Sequence, residues 1–142
     1  MIVVCVPGEP AGKGRPRASS RGGFVRMYTP SKTKDAEQAI QVEAMASMRG
    51  RELITGPVAV TMEMCHSIRP SWPSKKRVGA RSGEIAPTIK VDIDNCLKLF
   101  FDAFNGVVWV DDVQVVKVSA EKRFSDEPCV LVTVTELAQS SA

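Results

Sequence analysis

An α+β fold is predicted, one domain over residues 1–142 in which a mixed or antiparallel sheet carries two helices packed on one face. Three observations predict it. The chain has 142 residues, enough for one real core and few for two. Two segments repeat apolar residues at helical spacing, and several β-branched runs alternate at the period of a strand.

Ile2 to Val6 is a β-branched run stopped by Pro7-Gly8-Glu9-Pro10, a strand followed by a breaker. Ala11 to Pro30 holds Gly12, Gly14, Pro16, Gly22, Gly23 and Pro30 among basic residues and reads as a loop or loose hairpin. From Thr33 to Arg49, Ala36, Ile40, Ala44 and Met48 make one face of a helix that Gly50 stops. Pro57 opens a strand in which Val58, Val60, Met62 and Met64 alternate with Ala59, Thr61, Glu63 and Cys65. His66 continues the buried register, as a satisfied structural residue rather than a ligand. Ser67 to Ile89 contains Pro70, Pro73, Gly79, Gly83, Pro87 and five basic residues without periodicity, and reads as a long functional loop. Ile93, Leu97, Phe100 and Phe104 define one face of a second helix over Asp92 to Phe104, ended by Asn105-Gly106. Three β segments follow, at Val107 to Val110, Val113 to Phe124 and Val130 to Thr135.

No run approaches the roughly 18 apolar residues of a membrane span, and Met1 to Val6 is too short for a signal peptide, so a cytoplasmic protein is expected. Cys5, Cys65, Cys96 and Cys129 lie in apolar segments with no C-x-x-C pair, the pattern of reduced core thiols rather than of a disulfide or zinc site.

The net charge is +3, but its distribution says more. Met1 to Asp35 carries seven basic and two acidic residues, His66 to Lys90 six and one, and Asp92 to Asp112 one basic against five acidic. Two basic zones around an acidic one suit a protein that attracts a polyanion and places carboxylates where it lands.

The acidic zone is Lys90-Val91-Asp92-Ile93-Asp94-Asn95-Cys96-Leu97-Lys98, then Trp109-Val110-Asp111-Asp112-Val113-Gln114. A carboxylate at a helix start is explained by capping and the helix dipole, which accounts for one aspartate but not for two followed by a second pair. Mg²⁺ takes oxygen ligands and keeps several waters, so two or three carboxylates from different elements suffice where phosphate also binds. If helix and strand pack side by side, Asp92 or Asp94 can meet Asp111 or Asp112; only one of the latter pair can face the site if both lie in a strand. Lys98 stands four residues from both Asp94 and Asp102. It is either the middle of an exposed ion-pair ladder or an ammonium that offsets charge on an attacked phosphate, and spacing does not choose.

Val91-Asp92-Ile93-Asp94-Asn95-Cys96-Leu97-Lys98, Phe101-Asp102-Ala103-Phe104-Asn105-Gly106-Val107 and Asp111-Asp112-Val113-Gln114-Val115 together resemble the signature of the RusA family of Holliday junction resolvases. Gly12-Lys13-Gly14-Arg15-Pro16-Arg17 and Tyr28-Thr29-Pro30 are similar to the basic stretch of its phage-type members. Val91 stands where Pro is usual and Cys96 where Leu is usual; neither change removes a candidate ligand. The resemblance implies a RusA-like fold and a homodimer acting on four-way junction DNA with Mg²⁺, for which Mn²⁺ substitutes. It implies Asp92, Asp94 and Asp112 as metal-binding catalytic residues and Lys98 as the catalytic lysine. Lys13, Arg15, Arg17, Arg21, Arg26, Lys75, Lys76 and Arg77 are the expected DNA contacts.

The chemistry expected is metal-assisted phosphodiester hydrolysis without a covalent intermediate, since no serine or cysteine is visibly paired with the lone His66. Two symmetric cuts need two sites, which a C₂ dimer supplies. The rivals are a less selective branched-DNA or flap nuclease with the same site, and a non-catalytic DNA-binding module, which gives no reason for carboxylates beside bound phosphate.

Overall fold

The computed structural model describes residues 1–14, 17–19, 26–28 and 31–138, with backbone alone for 17–19, 26–28 and 31. Strands β1 (Ile2–Pro7), β4 (Val58–Ser67), β5 (Val115–Ser125) and β6 (Cys129–Glu136) form a sheet in the order β1-β6-β4-β5. The β1/β6 and β6/β4 pairs are antiparallel and β4/β5 is parallel, so the sheet is mixed. Within 11–30, read from the sequence as a loop or loose hairpin, β2 (Arg17–Ser19) and β3 (Arg26–Tyr28) pair antiparallel.

Alternation assigns the faces. Val4, Val132, Met62 and Ala120 fall in one row across the four strands. On that side Ile2, Val4, Val58, Val60, Met62, Met64, Val130, Val132 and Val134 are buried. Helices α1 (Ser31–Met48) and α3 (Ile93–Phe104) contribute Ile40, Ala44 and Met48, and Leu99, Phe100, Ala103 and Phe104, to the same core. Cutting Phe100 or Phe104 back to alanine removes about 3–5 kcal/mol, a large part of what holds a domain of this size folded. The fold is α+β, with α3 pressed against the sheet and its polar side outward.

Three expectations change. A third helix, α2 (Ser74–Ser82), occupies the stretch read as loop, starting after Pro73 and ending at Gly83 with φ +90°. It buries only Gly79 and Ala80, so no apolar stripe announces it. Val107 to Val110 is not a strand but a turn, with isolated bridges from Trp109 to Ile54 and Asn105. Of its four apolar residues, the adjacent Val108 and Trp109 are buried, by packing and not by alternation, while Val110 is exposed. A 3₁₀ turn over Asp112–Gln114 delays the next strand to Val115.

His66 is 2% exposed, as its register implies, but it is not fully satisfied. Its Nδ1 stands 3.7 Å from Glu9 Oε2, and Nε2 has no partner among the described residues. Burial, aided by Lys122 and opposed by Glu9, holds its pKa below the ordinary value. All four cysteines are free thiols; Cys65 and Cys96 are core residues, whereas Cys129 is half-buried and Cys5 exposed at the outer face of an edge strand. Burial pushes the Cys96 thiol up to about 12. No helix among the described residues is long and apolar enough to cross a membrane.

Candidate active site

The first turn of α3 sets two carboxylates on the surface. Asp92 occupies the N-cap position in extended backbone, yet its side chain makes no capping hydrogen bond. Asp94 lies in the same turn, also exposed. Capping therefore does not account for either side chain. Lys98 follows one turn later, exposed and without an ion pair among the described residues. Of the two readings left open by the spacing, the i, i+4 ion-pair ladder is not formed among the described residues. At 1.5 Å rise per residue, Asp94, Lys98 and Asp102 form a stripe about 12 Å long on one side of the helix.

Asp102 has another partner. Lys13 Nζ donates to Asp102 Oδ2 from the far end of the chain. Lys13 N–H donates to the Asn95 carbonyl at 3.4 Å, and Gly14 N–H to Thr33 Oγ1 at 2.8 Å, which lays residues 11–14 against α3 and the start of α1. Gly12 makes a close approach there: a Cβ on it would stand 2.3 Å from Val91 Cγ2 and 2.6 Å from Asn95 Nδ2, and those side chains would have to shift. Lys13, expected in the DNA arm, is thus committed within the fold.

The 3₁₀ turn packs on α3 and presents the remaining pair. Asp111 is its cap: Oδ1 accepts from Val113 N–H at 3.2 Å. Gln114 closes the box by accepting from the amides of Val110 and Asp111, both at 3.0 Å, while its own Nε2 donates to the carbonyls of Ile54 and Gly56. That leaves Asp112 as the half-buried carboxylate not used by the turn. Burial first, then Asp111 beside it and the charge of Asp102, raises the Asp112 pKa. Trp109 fixes the approach to this turn, fully buried against Phe101 and Phe104 with its indole N–H donated to Asn105 Oδ1 at 2.7 Å. Sequence reasoning missed Gln114 as the residue that shapes the turn, although its place in the D-D-x-Q pattern was the available signal.

The donors are all carboxylate oxygens, the set a hard divalent cation takes. Asp112 carries a like-charge burden that a cation would relieve, and the Asp92 and Asp94 side chains are uncommitted. The charge on Asp102 adds to the negative field at Asp112; among the described residues, no three such ligands are gathered into a metal cluster.

The expected DNA contacts divide by location. Lys75 and Lys76 project from α2 into solvent and Arg77 is half-buried. Lys76 Nζ lies 4.1 Å from the centre of the Trp72 ring, which itself packs edge-on against Phe124. Arg81 is held by Asp126 at 2.9 Å. Arg17 and Arg26 sit in β2 and β3, seen as backbone only, while Arg15 and Arg21 lie outside the described residues.

Fold and acidic surface meet in one class of protein: residues 7–135 match the family Endodeoxyribonuclease RusA. The chain belongs to this family of DNA endonucleases. It is also 38% identical over 139 residues to Uncharacterized protein YqaN of Bacillus subtilis (strain 168), an alignment that covers 96% of this chain and 97% of that relative.

Proposed function

We propose that this endodeoxyribonuclease resolves four-way DNA junctions by paired, Mg²⁺-dependent nicks, acting as a homodimer. The observation that carries the reading is the absence of structural employment for the key side chains: Asp92 does not cap, and Lys98 pairs with nothing described. Charged groups at a helix surface that neither cap nor pair with any described residue, such as Asp92 and Lys98, suit a substrate better than a fold.

Asp92, Asp94 and Asp112 would hold the ion, with Mn²⁺ able to replace Mg²⁺. Mg²⁺ supplies polarisation of the phosphate oxygens and an activated water when bound. Lys98 places its ammonium beside the phosphate and offsets the charge that builds there. Gln114 and the Asp111 cap hold Asp112 at the turn. Lys75, Lys76 and Arg77 contact the backbone of the DNA from α2, and Arg15, Arg17, Arg21 and Arg26 do so from the N-terminal segment.

A second copy has a surface to meet. Among the described residues β5 is an edge strand, and over 116–119 all four residues are exposed. Val113, Val116 and Val118 are 80, 64 and 44% exposed. An unpaired edge with apolar side chains invites another strand, and a two-fold pairing there would bring two Asp112 turns into one particle.

The test is a synthetic four-way junction beside a linear duplex of the same sequence, each with Mg²⁺ or with chelator. Symmetric nicks in the junction alone, with Mg²⁺ alone, are expected. Equal cutting of the duplex would replace the reading with a less selective nuclease, and no cutting with a binding module.

A further inference from the structure

The freedom of Lys98 needs an explanation. Two carboxylates lie within its reach, Asp94 four residues before it and Asp102 four residues after, and such pairs form readily on helix surfaces. Asp94 is exposed and pairs with nothing described, and in the reading above it is engaged by the ion during the reaction, so it is not the lasting competitor. Asp102 remains, and Lys13 occupies it.

We propose that Lys13 is a positioning residue which acts through Asp102 to keep Lys98 unpaired; the inference rests on the catalytic role proposed for Lys98. The geometry is built for this task. The segment that carries Lys13 is fixed by its backbone, through the hydrogen bonds to Asn95 and Thr33 and the close approach at Gly12. The contacts that bring the ammonium to Asp102 thus all lie within the protein itself. Thr33, the anchor for Gly14, is itself buried. Both partners of the ion pair are half-buried, so the contact is less screened than an exposed pair. Lys13 also offsets the charge on Asp102, which otherwise adds to the negative field at Asp112.

Without Lys13, Asp102 is released to capture Lys98. Lys13→Met should lower the single-turnover rate at saturating junction by about two- to tenfold, the span between an exposed helix pair and a partly buried charged hydrogen bond. Junction affinity and its salt dependence should not move. The distinguishing variant is the double one. Lys13→Met with Asp102→Asn removes the competitor as well, so the rate should return to near the wild-type value. A DNA-contacting Lys13 would instead weaken binding and lessen the salt slope, with no rescue from Asp102→Asn. A merely structural ion pair would leave the double variant as slow as Lys13→Met. Either outcome overturns the proposal.

A second readout separates this inference from the reading beneath it. The side-chain ammonium signal of Lys98, followed by ¹⁵N NMR in uncleaving conditions without DNA, should show a new carboxylate partner in Lys13→Met and lose it again in the double variant. An unchanged Lys98 signal overturns the proposal even if Lys98 proves essential. A changed signal with Lys98→Ala cleaving at wild-type speed would support the pairing and discard the catalytic role.

Discussion

Gln114 donates through one side-chain amide to the carbonyls of Ile54 at 2.8 Å and Gly56 at 2.9 Å, tying the Asp112 turn to the segment that enters β4. Its oxygen meanwhile accepts from the amides of Val110 and Asp111. Gln114→Leu strips all four contacts at once. A loss of about 2 kcal/mol or more in unfolding free energy is expected, since several backbone groups are left without partners. Cleavage should fall further than stability does, because Asp112 loses its placement. A urea midpoint and a junction-cleavage rate on the same preparation check this; an unchanged rate in a destabilised protein would mean the turn does not position Asp112.

Asp92→Asn, Asp94→Asn and Asp112→Asn should each abolish cleavage while junction binding persists or tightens, because a negative charge beside phosphate is removed. Asp111→Asn should be milder on the reaction, as an asparagine oxygen can still accept from Val113 N–H. Gel-shift and cleavage assays on the four variants rank them. Should Asp111→Asn prove more severe than Asp112→Asn, the two residues have exchanged roles.

Much of this was legible in the chain. The four-residue spacing of Ile40, Ala44 and Met48 and the alternation of Val58 to Met64 are signals of burial, and burial is what the fold does with them. α2 was not legible because its sequence, Ser74 to Ser82, presents only Val78 as a large apolar residue, and that side chain is exposed. Val107 to Val110 misled for the opposite reason, since its β-branched residues belong to a turn that buries Val108 and Trp109. The carboxylates and Lys98 stood out by spacing and resemblance. The Lys13–Asp102 pair did not, because 89 residues separate its members and nothing local hints at it.

DNA affinity should fall with salt, and Lys75→Ala and Lys76→Ala should each lessen the slope of log affinity against log salt by about one. Arg81→Ala should leave the slope unaltered, because Asp126 already holds that guanidinium. Fluorescence anisotropy across a salt series measures both. A slope indifferent to Lys75 and Lys76 would make α2 a solvated face.

His66 predicts a pH effect whose sign follows from its lowered pKa. The fold favours neutral imidazole, so its contribution is intact above the ordinary value of 6.5 and is lost as pH falls through the lower folded value. His66→Leu should be less sensitive than the wild type to mild acid, as judged by urea midpoints from neutral to mildly acidic pH. Parallel pH profiles for the two proteins would contradict the shift.

Whether the stripe on α3 is a catalytic surface or an ordinary solvated one turns on Lys98. As a solvated residue it would cost at most a few tenths of a kcal/mol when removed, and cleavage would persist. As the ammonium that stabilises charge on the attacked phosphate, its loss should slow cleavage by roughly 10² or more. Lys98→Arg should rescue poorly, since a planar guanidinium does not replace a compact charge. Single-turnover cleavage of a four-way junction by Lys98→Ala, with folding and junction affinity verified, is the most direct measurement: a hundredfold loss is predicted, and cleavage at wild-type speed would contradict the account.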